Sequence, residues 1–150
     1  IGGGDFAEDR IVPDCIRAVN EKRTIMVRNP FSTRPYQHVL EPLYAYLLIA
    51  AKQYEDVNLA GYYNIGPDEQ DCYKTGELVD VFVKHWGEGV QWENCYDGGP
   101  HEANFLKLDC SKAKSVFSWA PRWNIDKAIE KVVEWSKCWK ENGDIRACMK

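Results

Sequence analysis

The period of the hydrophobic positions changes repeatedly along this chain, and each change predicts an element. Pro13 suits the first turn of a helix and Asp14 complements its dipole, with Ile16 and Val19 supplying a modest apolar stripe to about Glu21. Thr24 to Arg28 reads as a short strand, Asn29 to Thr33 as a turn, and Tyr36 to Leu40 as a second extended piece, because a proline pushes the residue before it out of the α region. From Leu40 to Tyr54 the pattern becomes helical. There Leu43, Tyr44, Ala45, Tyr46, Leu47, Leu48, Ile49, Ala50 and Ala51 leave almost no polar face. A helix apolar all round must be covered on every side, so a partner domain beyond this chain is expected over one face.

Tyr62 to Ile65 is β-like before Gly66-Pro67 stops it. Thr75 is placed to cap a helix whose Leu78, Val79, Phe82, Val83 and Trp86 fall at helical spacing until Gly87 closes it. Gln91 to Asn94 alternates as a brief strand, and Asp97-Gly98-Gly99-Pro100 makes a loop presenting His101 and Glu102. Phe105 to Leu108 is extended, and Asp109 or Ser111 caps a short helix through Val116. Asn124 caps the last helix, with Ile125, Ala128, Ile129, Val132, Val133 and Trp139 as its stripe. Gly2, Gly3 and Gly4 read as a plain turn after a strand that lies outside the chain, since neither G-x-x-x-x-G-K-[ST] nor G-x-G-x-x-G is present. No repeat or linker divides residues 1–150, so a single α/β unit is expected, with about five helices and several short strands.

Composition narrows the partners. The 150 residues carry 19 basic and 23 acidic side chains, a formal charge of −4, with no basic run, which argues against nucleic acid and an anionic membrane surface. No stretch approaches the ~18 apolar residues of a membrane span, and Ile-Gly-Gly-Gly-Asp has neither region of a signal peptide, so a cytoplasmic protein is expected. The six cysteines are irregularly spaced without a Cys-x-x-Cys, which reads as free thiols rather than a disulfide frame or metal site. The six tryptophans and eight tyrosines are accounted for chiefly by core and interface packing.

Arg34 is the leading candidate for chemistry, because a guanidinium forks onto phosphate oxygens and rigid segments flank it; the competing reading is a surface ion pair. Arg10 and Pro13 sit at a helix entrance, where an ordinary helix start with a solvated arginine explains them equally. His38 reads as a satisfied core histidine. Asn64 either reaches a ligand or makes the turn before Gly66-Pro67. His101 and Glu102 can engage ribose hydroxyls or a helix terminus. Trp119 and Trp123 read as packing rather than sugar stacking. No Ser/His/Asp set, zinc spacing or carboxylate pair assembles, so residue chemistry alone supports an α/β domain with an anion site.

Arg34-Pro35-Tyr36-Gln37-His38-Val39-Leu40-Glu41 resembles the Arg-[Asp/Pro]-aromatic-x-[His/Tyr]-Val-x-[Asp/Glu] segment of the extended short-chain dehydrogenase/reductase family. Tyr63-Asn64-Ile65-Gly66 is similar to that family's Tyr-Asn-[Val/Ile]-Gly. The run from Asp109-Cys110-Ser111-Lys112-Ala113 to Trp119-Ala120-Pro121 is similar to its Asp-x-Ser-Lys-Ala to Leu-Gly-Trp-x-Pro segment, and Val133-Glu134-Trp135 to its closing helix. Any one is weak, but four in this order are specific. The resemblance implies the carboxy-terminal, nucleotide-sugar-binding part of such an enzyme, lacking most of the Rossmann sheet. It puts Arg34 on the diphosphate, Arg10, Ile11 and Pro13 near the base and ribose, and Asn64 and His101 in the pocket lining.

Gly2 to Arg10, Arg28-Asn29-Pro30 with Arg34 to Pro42, and Pro100-His101-Glu102-Ala103 with Leu106 to Asp109 most resemble the members that dehydrate CDP-glucose. Those enzymes oxidise carbon 4 with bound NAD, eliminate water across carbons 5 and 6, and return the hydride to carbon 6, giving CDP-4-keto-6-deoxyglucose for surface polysaccharides such as the lipopolysaccharide O-antigen. Two departures stand out. Gly99-Pro100-His101-Glu102 replaces Arg-Pro-x-[Asp/Glu], so no second phosphate arginine carries over, and Phe117-Ser118-Trp119 replaces Leu-Gly-Trp. The family's Gly-rich NAD turn and its Tyr-x-x-x-Lys pair belong to the amino-terminal half and do not occur here. The chain alone is therefore expected to be inactive, with no catalytic residue, no metal ligand and no cofactor of its own, and the parent enzyme to be a homo-oligomer holding NAD in its other half. The alternatives are another nucleotide-sugar dehydratase or epimerase on the same scaffold, a non-catalytic carbohydrate- or protein-binding module, and self-association through Leu43 to Ala51.

Overall fold

The computed structural model describes residues 1–96, 98 and 104–150. Among these, in chain order, lie α1 (Ile11–Asn20), β1 (Ile25–Val27), β2 (Thr33–Arg34), α2 (Leu40–Glu55), β3 (Tyr73–Lys74), α3 (Thr75–Trp86), β4 (Trp92–Asn94), α4 (Ser111–Phe117), α5 (Ile125–Lys140) and α6 (Ile145–Cys148). The predicted loop over 97–103 falls largely outside the described residues.

The main core is formed by α1, α3 and α5 around β1. Val12, Ile16 and Val19 of α1 meet Leu78, Phe82 and Trp86 of α3 and Ala128, Ile129 and Val132 of α5, with Ile25 and Val27 between them. Strand β1 runs parallel to β4 in the register Ile25↔Trp92 to Val27↔Asn94, and it buries Ile25 and Val27 while exposing Met26, the alternation of a half-covered strand. A second, smaller core joins Ala45 of α2 to Ala113 and Phe117 of α4, with Cys110 and Trp119.

Polar groups tie the cores together. Glu41, buried in the first turn of α2, accepts the backbone N–H groups of Arg122 at 3.1 Å and Trp123 at 3.0 Å, just ahead of α5. Buried Asp71 accepts the N–H of Ile125 at 3.0 Å. A helix N-terminus leaves such donors without internal partners, and carboxylates complement its dipole.

Several expectations are met locally. Asn124 caps α5 by accepting the Lys127 N–H at 2.9 Å, Gly87 closes α3 at φ +71°, and Asp109 accepts the Ser111 N–H at 2.9 Å at the start of α4. The glycine run is a packing feature: a Cβ on Gly3 would lie 2.3 Å from Cγ of Trp135, so only a bare backbone fits against that indole.

Others are corrected. The second extended piece is β2, antiparallel to β3 through Thr33↔Lys74 and Arg34↔Tyr73, not Tyr36 to Leu40. Pro35 has no N–H to continue the ladder, and the Tyr36 N–H turns back to the Arg34 carbonyl at 3.0 Å. Tyr62 to Ile65 forms no strand. No partner strand reaches it, and side chains anchor it instead, the Tyr63 hydroxyl donating to the Leu59 carbonyl at 2.6 Å. Thr75 does not cap α3. Glu77 takes the Lys74 N–H at 2.8 Å, and Thr75 is the first residue of the helix. Trp139 leaves the α5 stripe to Ser136, whose hydroxyl donates to the Val132 carbonyl at 2.7 Å; its ring lies 5.1 Å from that of Phe6. The short helix α6 adds to the predicted set.

Helix α2 is covered on one side only. Ala45 is fully buried, yet Leu40, Leu43, Tyr44, Leu47 and Tyr54 are exposed, Leu47 at 73% and Tyr54 at 95%. Their spacing puts them on one stripe. No helix of the described residues is long and apolar enough to cross a membrane.

Glu41→Ala removes the acceptor of two N–H groups in the joint between the cores. A loss of about 2–4 kcal/mol is expected, read as a lower urea midpoint at unchanged slope.

Candidate functional site

Arg34 stands in a segment fastened on several sides. The Ser32 carbonyl accepts the Thr75 N–H at 3.0 Å, and the Pro30 carbonyl accepts the Gly76 N–H at 2.9 Å. The Thr75 hydroxyl lies 3.1 Å from that of Ser32 and 2.8 Å from that of Tyr36. On the far side, Thr33 forms a parallel bridge to Phe105, its N–H donating to the Asn104 carbonyl at 2.9 Å. Residues 30–36 are thus clasped onto the first turn of α3, and Nη1 of Arg34 donates to the Thr33 carbonyl at 3.0 Å. A guanidinium held this way loses little further freedom on meeting an anion.

The carboxyl ends of the parallel strands β1 and β4 form a rim beside this segment, the edge at which parallel α/β sheets receive ligands. Arg28 follows β1 directly, and its Nη2 lies 2.5 Å from Oδ1 of Asp9. That pair brings Asp9, in the loop before α1, to the end of β1. The Cys95 N–H extends the ladder to the Val27 carbonyl at 2.9 Å, and the Tyr96 and Phe31 rings meet edge to face at 5.4 Å.

The other sequence candidates divide. Arg10 is exposed at the N-cap of α1 without a side-chain cap bond. Ile11 is half-buried against the main core, and Pro13 is buried in the first turn of α1. Pro13 therefore shapes the helix entrance and offers no surface to a ligand. Asn64, exposed on the side of the second core, donates from Nδ2 to the Asp109 carbonyl at 3.0 Å. His101 lies outside the described residues. His38 is a core residue as expected: Nδ1 accepts the Leu40 N–H at 3.3 Å, and its ring meets Trp123 edge to face at 4.9 Å.

The Arg28–Asp9 pair and the Ser32–Thr75–Tyr36 hydroxyl cluster escaped the sequence reading. An arginine placed immediately after a β run was the available signal for the first. Nothing local marks the second, because its members are 43 and 39 residues apart.

No family model matches the chain. A curated relative does: the CDP-glucose 4,6-dehydratase of Salmonella typhimurium is 40% identical over 151 residues, covering 100% of this chain and 42% of the relative. The chain is homologous to the carboxy-terminal part of that extended short-chain dehydrogenase/reductase. Solved structures agree in fold. The dTDP-glucose 4,6-dehydratase of Bacillus anthracis, solved with NAD, superposes at a TM-score of 0.72 with 15% identity, over 94% of this chain and 43% of that one. The UDP-glucuronic acid 4-epimerase of Bacillus cereus, solved with UDP-glucuronic acid and NAD, gives 0.73 with 17% identity, over 87% of this chain and 40% of that one. The chain thus spans less than half the length of each of these relatives.

Burial is the chief cause that lowers the His38 pKa from 6.5 to about 4. The unfolded chain therefore binds the extra proton first as pH falls. Stability is expected to drop between about pH 6.5 and pH 4, and to be regained as pH rises through the same window. Urea unfolding across that range, beside His38→Gln with this component flattened, checks it.

Proposed function

We propose that this chain is the nucleotide-sugar-binding part of a CDP-glucose 4,6-dehydratase, which converts CDP-glucose to CDP-4-keto-6-deoxyglucose and water. The clasped Arg34 carries the reading, because it joins a rigid phosphate-capable group to whole-length similarity with an enzyme of that name. Arg34 forks onto the diphosphate. Arg10 and the exposed part of Ile11 meet the base and ribose, while Pro13 holds the entrance of α1 in place behind them. Asn64 and His101 line the remainder of the pocket.

NAD, held by the parent enzyme outside this chain, would supply the redox chemistry of the dehydration. The residues of this chain do not fit that cofactor: the Gly2–Gly4 run carries no dinucleotide fingerprint, and Gly3 is occupied by Trp135. NAD therefore belongs to the amino-terminal part of the enzyme, which also supplies the proton-transfer groups. That same part covers the bare stripe of α2, as the relative's unmatched length and the exposure of Leu47 and Tyr54 suggest. On the resemblance, the enzyme works in the cytoplasm as a homo-oligomer.

The test is turnover by the complete enzyme with NAD, offered CDP-, dTDP-, UDP- and GDP-glucose. Selective formation of a keto-sugar from CDP-glucose is expected, and no keto-sugar from any of them overturns the reading. In the same enzyme Arg34→Ala should raise KM about tenfold or more; an unchanged KM removes Arg34 from the site.

A further inference from the structure

Arg28 is the first residue after β1, at the carboxyl end of the parallel strands, and its Nη2 lies 2.5 Å from Oδ1 of Asp9. The two side chains are 66% and 78% exposed. An ion pair so open to water contributes little to stability, so the fold gains little by keeping it.

The backbone nevertheless fixes both partners. Only Asn29 separates Arg28 from residues 30–36, which are clasped onto α3, and the preceding Val27 carbonyl accepts the Cys95 N–H at 2.9 Å. On the other side, Nη2 of Arg17 in α1 donates to the Ala7 carbonyl at 3.2 Å, and the Ala7 N–H donates to Oδ1 of Asp5 at 3.0 Å. Asp9 itself takes the left-handed conformation at φ +58°, which aspartate adopts more readily than most residues. Its Oδ2 accepts no hydrogen bond among the described residues. A guanidinium carries five N–H donors, enough to serve Asp9 and a ligand together. The rim therefore presents donors and an acceptor side by side.

That order of groups matches one pyrimidine edge. Cytosine sets an amino donor, N4, beside two acceptors, N3 and O2, whereas uracil and thymine put an acceptor, O4, in the amino position and a donor at N3. A carboxylate accepts from the cytosine amino group, and a guanidinium donates to the acceptors next to it. Against uracil the same carboxylate meets O4, and two acceptors face each other with no proton between them.

We propose that Asp9 and Arg28 select the base, Oδ2 of Asp9 accepting from N4 of cytosine while the Arg28 guanidinium donates to N3 and O2. The proposal rests on the nucleotide-sugar reading above, in which Arg10, the neighbour of Asp9, already meets the base and ribose and Arg34 holds the diphosphate. It adds the groups that tell CDP-glucose from its UDP and dTDP counterparts.

Steady-state turnover of the three sugars by the complete enzyme with NAD tests it. Wild type is expected to favour CDP-glucose in kcat/KM. In Asp9→Asn, whose amide can turn an N–H toward O4 of uracil, the ratio of kcat/KM for CDP-glucose to that for UDP-glucose should fall about tenfold or more. Arg28→Gln should raise KM for CDP-glucose about tenfold with kcat little changed. Arg23→Gln, which breaks the exposed pair to Glu21, should alter neither quantity, and all three variants should keep the wild-type urea midpoint. A CDP-selective wild type whose Asp9→Asn and Arg28→Gln variants retain its ratio and its KM overturns this inference and leaves the dehydratase reading standing. A wild type that converts all three sugars equally well overturns the inference, and one that converts none overturns both.

Discussion

Glu41 occupies a joint between the two apolar cores. A carboxylate removed from water is costly unless its oxygens are taken up, and each oxygen here receives an N–H from the chain entering α5. Those N–H groups have no partner in a helix that has not yet begun. The interaction thus satisfies three groups together, fixing the start of α2 relative to α5 and, through α2, the second core relative to the first. His38, three residues upstream and edge to face with Trp123, has its pKa lowered chiefly by burial.

The Arg34 segment depends on that joint less directly. Arg34 is held from the α3 side by the Ser32–Thr75–Tyr36 hydroxyls, which exchange hydrogen bonds across a long sequence separation. Arg28, just after β1, meets Asp9 at the neighbouring rim in an ion pair. A chain of net charge −4 can in this way present cationic groups along one edge, because a site is set by the few charges that converge on it rather than by the total. The uncovered stripe of α2 lies apart from this edge.

Much of the fold was legible where the physics is local. The helical spacing of Leu78, Val79, Phe82 and Trp86, the cap at Asn124 and the positive φ at Gly87 depend on residues within a turn or two of one another. Strands were less legible. Tyr62 to Ile65 has strand-like residues but no ladder, because β structure exists only where a partner arrives, and Pro35 moved the second strand to Thr33–Arg34. In the candidate site, Arg34 was singled out from its rigid flanks, whereas the burial of Pro13 and the bond from Asn64 to Asp109 were set by the fold.

By itself the sequence determined the helices, their caps, the apolar excess of α2 and the resemblance carried by four short segments, since each is written in neighbouring residues. Tertiary structure alone decided which strands paired, that Glu41 meets the N–H groups ahead of α5, and that Asp9 meets Arg28. These depend on groups brought together from distant positions, and the free energy of such a meeting belongs to the folded pair and to neither residue alone.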